Sequence, residues 1–393
     1  MSTPEPFPFT KRAQEINPFI VMDVLERAQA LTREGRSIVH LEVGEPDFDS
    51  PPEALAAAAE ALKRGETHYT HSLGVLELRE AISRRYKRIY GVDVSPERIL
   101  VTCGSSPALL YVFAALVEPG DEVICPSPRY ACYPNFVHFF GGKLVPVPTE
   151  LSDGWRADPE RLRRAITPRT KAVLINSPSN PTGAVLDGDR LQAIAKLDLP
   201  IVSDEIYHGL TYEGRERSIL EFTDRAFVLD GFSKRYAMTG WRLGWLVVPE
   251  GCMRPFQKMQ QNIIVAAGAF SQRGGVAALD HGDAFVDRLR TEYDRRRKIL
   301  VQLLREAGFG IPVPPQGAFY VLADASKFTD DGYAFAFELL EKAGVGVAPG
   351  IDFGEEGRRA VRFSYSTSEA NIREGVRRVR EYLVGRVKPS KSS

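Results

Sequence analysis

The stretch Gly231-Phe232-Ser233-Lys234-Arg235-Tyr236-Ala237-Met238-Thr239-Gly240-Trp241-Arg242-Leu243-Gly244-Trp245 decides how the chain is organised. It follows an apolar run, Ala226 to Asp230, that is typical of a buried strand, and a second strand is predicted to begin at Leu243. A lysine at such a junction is usually a solvated surface cation. Small and aromatic residues flank Lys234, however, and Arg242 follows eight positions later. A buried or electropositive setting of this kind lowers the pKa of a lysine and makes its amine a candidate nucleophile.

Length and composition set the scale of the protein. The chain has 393 residues, of which 44% are hydrophobic, so we expect a large domain with a smaller partner domain. Lysine plus arginine and aspartate plus glutamate both number 51, and this balance gives no electrostatic reason to expect nucleic acid or a membrane surface as a partner. A small molecule of neutral or mixed charge is favoured instead.

Metal binding and membrane insertion are not indicated. His68 and His71 have no second ligand pair, and the cysteines show no zinc-type spacing; they are Cys103, Cys125, Cys132 and Cys252. The segment Met1 to Thr10 contains no apolar signal core, and the longest apolar runs are about half of what a membrane span needs. We therefore expect no metal, no membrane segment and a cytoplasmic location.

A glycine-serine loop joins a buried strand to an apolar helix in the first half of the chain. The strand is predicted at Arg98 to Thr102, and Cys103-Gly104-Ser105-Ser106-Pro107-Ala108 leads into the helix. Backbone amides converge at such a helix start, which favours the binding of a phosphate. An ordinary tight turn with a proline in the first helical turn would have the same pattern. No Gly-Lys-[Ser/Thr] closes the loop, so it is not a Walker loop.

Two more predicted strands end in polar residues. The strand Lys171 to Asn176 is followed by a turn that contains Asn180, and the strand Pro200 to Ser203 is followed by Asp204. Both residues have local explanations, since Asn-Pro initiates turns and an aspartate at this place can cap a helix. Tyr207, three residues after the aspartate, would face the same way on a helical turn, which favours a site over a cap.

The alternation of strands and helices in this half of the chain indicates a parallel sheet. Because the carboxyl ends of parallel strands meet at one crevice, we expect the residues that follow the strands to share it. These residues are Ser105, Asn180, Asp204 and Lys234.

The rest of the chain is predicted to be a long helical stretch followed by an α+β segment. Glu250 to Gly282 is helical and apolar with a break at Gly274-Gly275, and Asp283 to Gly308 is a long charged helix. Strands and helices then stop alternating strictly, which is typical of an α+β arrangement. Arg362 lies in a predicted strand, where a buried guanidinium needs a partner, and a planar two-pronged cation suits a carboxylate.

Together these motifs resemble those of class I and II aminotransferases, which are pyridoxal-phosphate enzymes of fold type I. The resemblance rests on Ser-Lys followed by Thr-Gly-Trp-Arg-Leu-Gly within 233–244, on Asn180-Pro181-Thr182-Gly183 and on Gly44-Glu45-Pro46-Asp47-Phe48. It implies an α/β fold with a large, mostly parallel, seven-stranded sheet flanked by helices, and a smaller α+β domain. The large domain would span 46–284, and the small one would combine 1–45 with 285–393.

The resemblance also implies roles for individual residues. Lys234 would hold the aldehyde of the cofactor as a Schiff base, and Asp204 would keep the pyridine nitrogen protonated. Tyr207 and Asn180 would donate hydrogen bonds to the ring oxygen, while Tyr130 would stack on the ring. The residues that would hold the phosphate are Gly104, Ser105, Ser106, Ser233, Arg242 and, from the other subunit of a homodimer, Tyr69. The residues that would contact the substrate are Gly44, Asn180 and Arg362, the last through the α-carboxylate.

The implied reaction is amino transfer. An L-amino acid would give its amino group to a 2-oxo acid, 2-oxoglutarate, in a ping-pong cycle in which Lys234 moves the proton of the α-carbon. Ser106 stands where some prokaryotic aspartate-using relatives carry a lysine for the second carboxylate of the substrate. We therefore expect an apolar or aromatic donor.

Other classes of protein share some of these features. Pyridoxal-phosphate β-lyases that cleave carbon–sulfur bonds need the same lysine, aspartate and arginine, and they are the alternative. A transcription regulator built on this fold would carry a winged-helix domain, for which we expect no room before Gly44. A dinucleotide-binding protein is not indicated, because no G-x-G-x-x-G follows a strand with an acidic residue about 20 positions later.

Overall fold

The computed structural model describes residues 7–386. Its helices are α1 (Lys11–Glu15), α2 (Ile20–Arg33), α3 (Pro52–Lys63), α4 (Leu76–Tyr90), α5 (Ser105–Leu116), α6 (Tyr133–His138), α7 (Pro159–Arg164), α8 (Gly188–Ala195), α9 (Met253–Ile263), α10 (Ala269–His281), α11 (Asp283–Glu306), α12 (Gly332–Glu338) and α13 (Glu369–Arg386). Its strands are β1 (Val39–His40), β2 (Ile99–Thr102), β3 (Glu122–Ser127), β4 (Lys143–Pro148), β5 (Thr170–Asn176), β6 (Ile201–Asp204), β7 (Ala226–Gly231), β8 (Gly244–Val247), β9 (Tyr320–Asp324), β10 (Val345–Gly346), β11 (Ala348–Pro349) and β12 (Ala360–Ser364).

A seven-stranded sheet forms the centre of the fold, in the order β2-β8-β7-β6-β5-β3-β4. Strand β8 pairs antiparallel with both of its neighbours, and the other six strands share one direction. Every residue of β2, β6, β7 and β8 is buried. Their runs of valine, isoleucine and leucine suit a sheet that is covered by helices on both faces. The predicted mostly parallel, seven-stranded α/β fold is confirmed.

Two hydrophobic clusters lie on the two faces of this sheet. Ile99 and Val101 of β2 belong to one cluster, and Leu100 belongs to the other, as the alternation of side chains along a strand requires. Because hydrophobic clusters cover both faces of the sheet, its accessible part is the edge at which the parallel strands end. The loops that follow those strands are therefore free to form a site.

The chain beyond α11 forms smaller sheets with the amino-terminal segment. Strands β11, β12 and β9 make an antiparallel sheet, and β1 pairs in parallel with β10, Val39 opposite Val345. Strand β1 of the amino-terminal segment therefore packs against the part of the chain that follows α11. The division into a large domain at 46–284 and a small domain stays a prediction. The ends of the predicted small domain, 1–6 and 387–393, lie outside the described residues.

The predicted helix break at Gly274-Gly275 is wrong. The interruption falls earlier, between α9 and α10, where Val265 has a φ of 75°. Both glycines lie inside α10, where a side chain would have no room: a Cβ on Gly274 would collide with the Trp241 ring, and one on Gly275 would lie 2.6 Å from Leu243 Cδ2. The glycines thus allow α10 to approach the Trp241–Leu243 loop closely, and packing offsets their low helix propensity.

Residues 7–386 contain no group of three or more histidine, cysteine, aspartate or glutamate side chains arranged to hold a metal ion. No helix in this part of the chain is long and apolar enough to cross a membrane.

Candidate active site

A cavity of about 420 Å³ lies at the carboxyl ends of the parallel strands. The predicted site residues that line it are Gly44, Ser105, Ser106, Tyr130, Asn180, Asp204, Tyr207, Ser233, Lys234, Arg242 and Arg362. Gly104 lies beside it at the start of α5, whereas Tyr69 does not line it and is 86% exposed. Folding thus brings into one cavity residues that are spread over more than three hundred positions of the sequence.

Lys234 follows β7 and is partly buried at the floor of the cavity. Its Nζ donates a hydrogen bond to the carbonyl oxygen of Gly44 at 2.7 Å. Burial lowers the pKa of Lys234 to about 8, and the positive charges of Arg362 and Arg242 act in the same direction, against the opposing charge of Glu45. A substantial fraction of this amine is therefore uncharged near neutral pH, as a nucleophile or proton acceptor requires.

Asp204 is the last residue of β6 and is buried. Its Oδ2 accepts a hydrogen bond from the Tyr133 hydroxyl at 2.7 Å, and its Oδ1 accepts one from the Ile206 amide at 3.2 Å. Burial raises the pKa of Asp204 to about 6, against the effect of these two hydrogen bonds. A carboxylate with this raised affinity for a proton is well placed to pair with a cationic nitrogen in the cavity.

Tyr133 was missed by the sequence analysis. It opens α6, three residues after Tyr130, and the two rings lie edge to face with centroids 5.3 Å apart. The only sequence signal was that spacing, which does not show that the hydroxyl reaches a residue 71 positions later.

Tyr207 and Tyr320 both line the cavity and form a hydroxyl pair. Their oxygens are 3.0 Å apart, and burial holds the pKa of Tyr207 well above its ordinary value. Both phenols therefore stay protonated; one hydroxyl donates to the other, and the accepting one keeps its own proton to donate to an oxygen in the cavity. Tyr320 was also missed, because a strand pattern at β9 does not show which residue faces a site on another part of the chain.

The start of α5 and Arg242 form the cationic end of the cavity. Ser105 and Ser106 begin the helix, and Gly104 before them has a φ of 95°. A Cβ on Gly104 would lie 2.6 Å from Nη2 of Arg242, so only glycine allows this approach of the guanidinium. Ser233 is buried beside it. Helix amides, hydroxyl groups and a guanidinium converge here, which is the chemistry of a phosphate site.

Arg362 lies on β12 and is 2% exposed. Its Nη1 donates to Asn180 Oδ1 at 2.9 Å, and its Nη2 donates to the carbonyl of Glu42 at 2.7 Å. The guanidinium lies between the rings of Tyr320, at 4.2 Å, and Phe353, at 4.9 Å. Its Nε has no hydrogen-bond partner among residues 7–386. A buried, oriented guanidinium with spare donor capacity is suited to binding a carboxylate.

An apolar wall closes the cavity on the side of α2. Val21, Met22 and Leu25 line it, preceded by Phe19, whose ring meets that of Tyr130 edge to face at 5.9 Å. Helix α2 ends shortly before Gly35, which has a φ of 87°. That the helix borders the cavity could not be read from its periodicity.

Comparison with known proteins agrees with this geometry. The sequence model for "Aminotransferase class I and II" matches residues 36–379. The (5-formylfuran-3-yl)methyl phosphate transaminase of Methanocaldococcus jannaschii is 40% identical over 379 residues, which cover 95% of this chain and 99% of that protein. The aspartate/prephenate aminotransferase of Thermus thermophilus is 41% identical and covers 95% of this chain and 98% of its own length.

A solved structure gives the same result for the fold. The aspartate aminotransferase from Thermus thermophilus with maleate superposes with a TM-score of 0.91 at 40% identity, over 96% of this chain and 100% of that one. Since the family match spans most of the sequence and the relatives align end to end, this chain is a member of the class I and II aminotransferases, pyridoxal-phosphate-dependent enzymes of fold type I.

Proposed function

We propose that the protein transfers the amino group of an apolar or aromatic L-amino acid to a 2-oxo acid, with 2-oxoglutarate as acceptor, in a ping-pong sequence that uses Lys234. The observation that carries the proposal is the cavity itself. It joins the amine of Lys234, the buried carboxylate of Asp204 and the buried guanidinium of Arg362.

The residues of the cavity fit pyridoxal phosphate. The start of α5 with Arg242 and Ser233 would hold its phosphate, and the Asp204 carboxylate would face its pyridine nitrogen. The hydroxyl of Tyr207 and the amide of Asn180 would bind its ring oxygen. When bound, this cofactor supplies an aldehyde that reacts with amines and a ring that withdraws electrons from the α-carbon of the substrate.

Lys234 would serve first as the amine that holds the cofactor and then as the base at the substrate. Once the amino group of the substrate takes its place, its Nζ is free to remove the proton from the α-carbon and return it at the end of the half-reaction. The carbonyl of Gly44, 2.7 Å away, keeps this amine directed toward the cavity. A pKa of about 8 suits both roles, because proton transfer is most efficient when the pKa lies near the working pH.

Arg362 would fix the substrate. A bidentate contact with the α-carboxylate defines the orientation of the α-carbon, and the proton on that carbon then points toward Lys234. Asn180 and the rings of Tyr320 and Phe353 hold the guanidinium in place, so little side-chain entropy is lost when the carboxylate binds.

The preference for an apolar donor follows from what lines the cavity. The α2 wall is formed by aliphatic and aromatic side chains, and two acidic residues, Glu42 and Glu45, also border the cavity. Within the described part of the chain, its lining cations are Lys234, Arg242 and Arg362, each already assigned to the cofactor or the α-carboxylate. A second carboxylate on the donor would thus lack a cation on this subunit. The acceptor is proposed from the family resemblance alone.

The first experiment is an absorbance spectrum of the purified protein, followed by single amino acids added without an acceptor. We expect the cofactor chromophore to convert stoichiometrically, with one matching oxo acid released, and leucine or phenylalanine to react with a higher kcat/KM than aspartate. Aspartate as the best donor would overturn the proposed specificity. Continued release of pyruvate and ammonia from a cysteine-type donor would favour the β-lyase, and no chromophore after addition of pyridoxal phosphate would refute the proposal.

The pH dependence of cofactor capture tests the environment of Lys234. Its pKa lies below that of an ordinary lysine, 10.5, so the reactive neutral amine appears as the pH rises through about 8. At pH 7.5 roughly a quarter of the amine is neutral, compared with about one part in a thousand for a solvated lysine. We expect the second-order rate of pyridoxal phosphate capture by the apoprotein to level off above pH 9. A rate that still rises tenfold per unit at pH 9.5 would contradict a depressed pKa.

We also propose that the active protein is a cytoplasmic homodimer. Tyr69 would reach the phosphate site of the partner subunit, and its 86% exposure in the single chain leaves it free to do so. Large apolar side chains are exposed on α3, α4 and α9 and in the segment that follows α9; they include Leu55, Leu62, Leu76, Ile263 and Val265. A surface of this kind supports association with a second copy.

A further inference from the structure

The helix that forms the apolar wall is capped from a distant part of the chain. The residue at the amino terminus of α2 is Phe19, which has no side-chain acceptor for the free amides of the first turn. The Asp352 carboxylate accepts hydrogen bonds from two of these amides instead, from that of Ile20 at 3.4 Å and from that of Val21 at 3.2 Å. These residues are 332 and 331 positions away from Asp352. The negative charge also interacts favourably with the helix dipole.

Asp352 lies on a short turn that contacts the substrate arginine as well. The turn, Gly350–Phe353, follows β11, which pairs with β12 so that Ala348 is opposite Arg362. The ring of Phe353 lies 4.9 Å from the guanidinium carbon of Arg362. Phe353 is fully buried and belongs to the same hydrophobic cluster as Val21 and Ala348. One turn of four residues therefore joins the carboxylate-binding arginine to the first turn of α2.

We propose that Asp352 is a positioning residue that sets the distance between the apolar wall of α2 and the guanidinium of Arg362, and so determines how closely the wall contacts a large donor side chain. The inference rests on the proposed function, since it assigns the α-carboxylate to Arg362 and the side chain to the wall. Asp352 does not line the cavity, so it acts through Val21, Met22 and Leu25.

Loss of the cap should free the start of α2 and let the wall move away from the substrate. Large donors would lose contacts with the wall, whereas alanine, whose methyl group lies close to the α-carbon, would lose few. The ratio of kcat/KM between leucine and alanine is therefore the informative quantity. It also cancels any general effect of removing a negative charge near Arg362, because both donors present the same carboxylate.

The experiment compares Asp352→Ala, Asp352→Asn and Asp23→Ala as holoenzymes. We expect Asp352→Ala to lower the leucine-to-alanine ratio about five- to tenfold, mainly through the KM for leucine, which is the size of effect that loss of one helix cap gives. Asparagine offers one acceptor oxygen in place of two, so Asp352→Asn keeps one of the two capping hydrogen bonds and should restore part of the ratio. Asp23 is exposed in the first turn of the same helix, and its replacement should leave the ratio unchanged.

Hydrogen–deuterium exchange gives a second readout that does not depend on turnover. Peptides from α2 should exchange faster in Asp352→Ala than in the wild type and regain part of their protection in Asp352→Asn, while peptides from α4 stay the same. An unchanged ratio in Asp352→Ala, equal losses for both donors, or unaltered exchange in α2 would overturn the inference. A wild type that transfers amino groups from neither donor would instead refute the proposed function, and the exchange result would still report on the cap.

Discussion

Replacement of Lys234 with alanine is expected to reduce amino transfer by on the order of 10⁴-fold or more, because the substitution removes both the amine that holds the cofactor and the base at the α-carbon. The variant should still bind pyridoxal phosphate through the start of α5 and Arg242, since these groups contact the phosphate and do not need the lysine. Turnover and the absorbance of the bound cofactor are the quantities to measure.

Two controls make this result specific to Lys234. After reduction with borohydride and denaturation, the wild type should keep the cofactor on the peptide that contains Lys234, and the alanine variant should release it. Replacement of Lys298, an exposed lysine on α11, with alanine should leave the rate unchanged. A small primary amine added to Lys234→Ala should restore part of the rate. Wild-type turnover in the variant without any added amine would refute the assignment.

Replacement of Asp204 with asparagine is expected to lower kcat by about 10²-fold or more. The neutral amide cannot stabilise a positive charge on the pyridine nitrogen, so the ring would withdraw electrons from the α-carbon less strongly. The substitution is nearly isosteric: the amide oxygen can still accept from the Ile206 amide, and Nδ2 can donate to the Tyr133 hydroxyl, which reverses the direction of that hydrogen bond. The loss should therefore appear in the chemical step and leave folding largely intact.

Single-turnover kinetics show whether the loss in Asp204→Asn lies in the chemical step or in folding and cofactor binding. The rate of the half-reaction with a saturating donor should fall, while the thermal midpoint and the affinity for pyridoxal phosphate change little. Replacement of Asp330, a strongly exposed aspartate, with asparagine provides the matched control and should behave as the wild type does. A near-normal half-reaction rate in Asp204→Asn would show that the carboxylate does not act on the ring nitrogen.

The part of the site that could be predicted consists of residues placed by local rules. Asn180 and Lys234 follow strands of the parallel sheet and Asp204 ends one, and the sheet itself was recognisable from apolar runs that alternate with helices. Because parallel strands present their carboxyl ends at one edge, sequence order alone was enough to place these residues together. Their roles were then inferred from short motifs of contiguous residues, which can be recognised without knowing the rest of the fold.

Residues that act on the site from another part of the chain were not predictable in this way. Tyr133 reaches Asp204, Tyr320 reaches Tyr207 and Asp352 caps α2, and none of these contacts leaves a pattern in the sequence around either partner. The error at Gly274-Gly275 has the same origin. A glycine pair is a helix breaker by propensity, but the close approach of Trp241 makes it a packing feature.

The sequence by itself determined the α/β class, the family and the chemical groups at the carboxyl edge of the sheet, since each depends on periodicity or on residues that are neighbours along the chain. Only the tertiary structure decided which distant residues contact those groups, how burial shifts their pKa values and which side chains form the wall of the cavity. The contact of Lys234 with Gly44 spans 190 positions and that of Arg362 with Asn180 spans 182. The pKa of Lys234 depends on burial by such distant segments, and the apolar wall depends on where α2 packs. Long-range packing sets these properties because burial and charge act through space, whatever the separation along the chain.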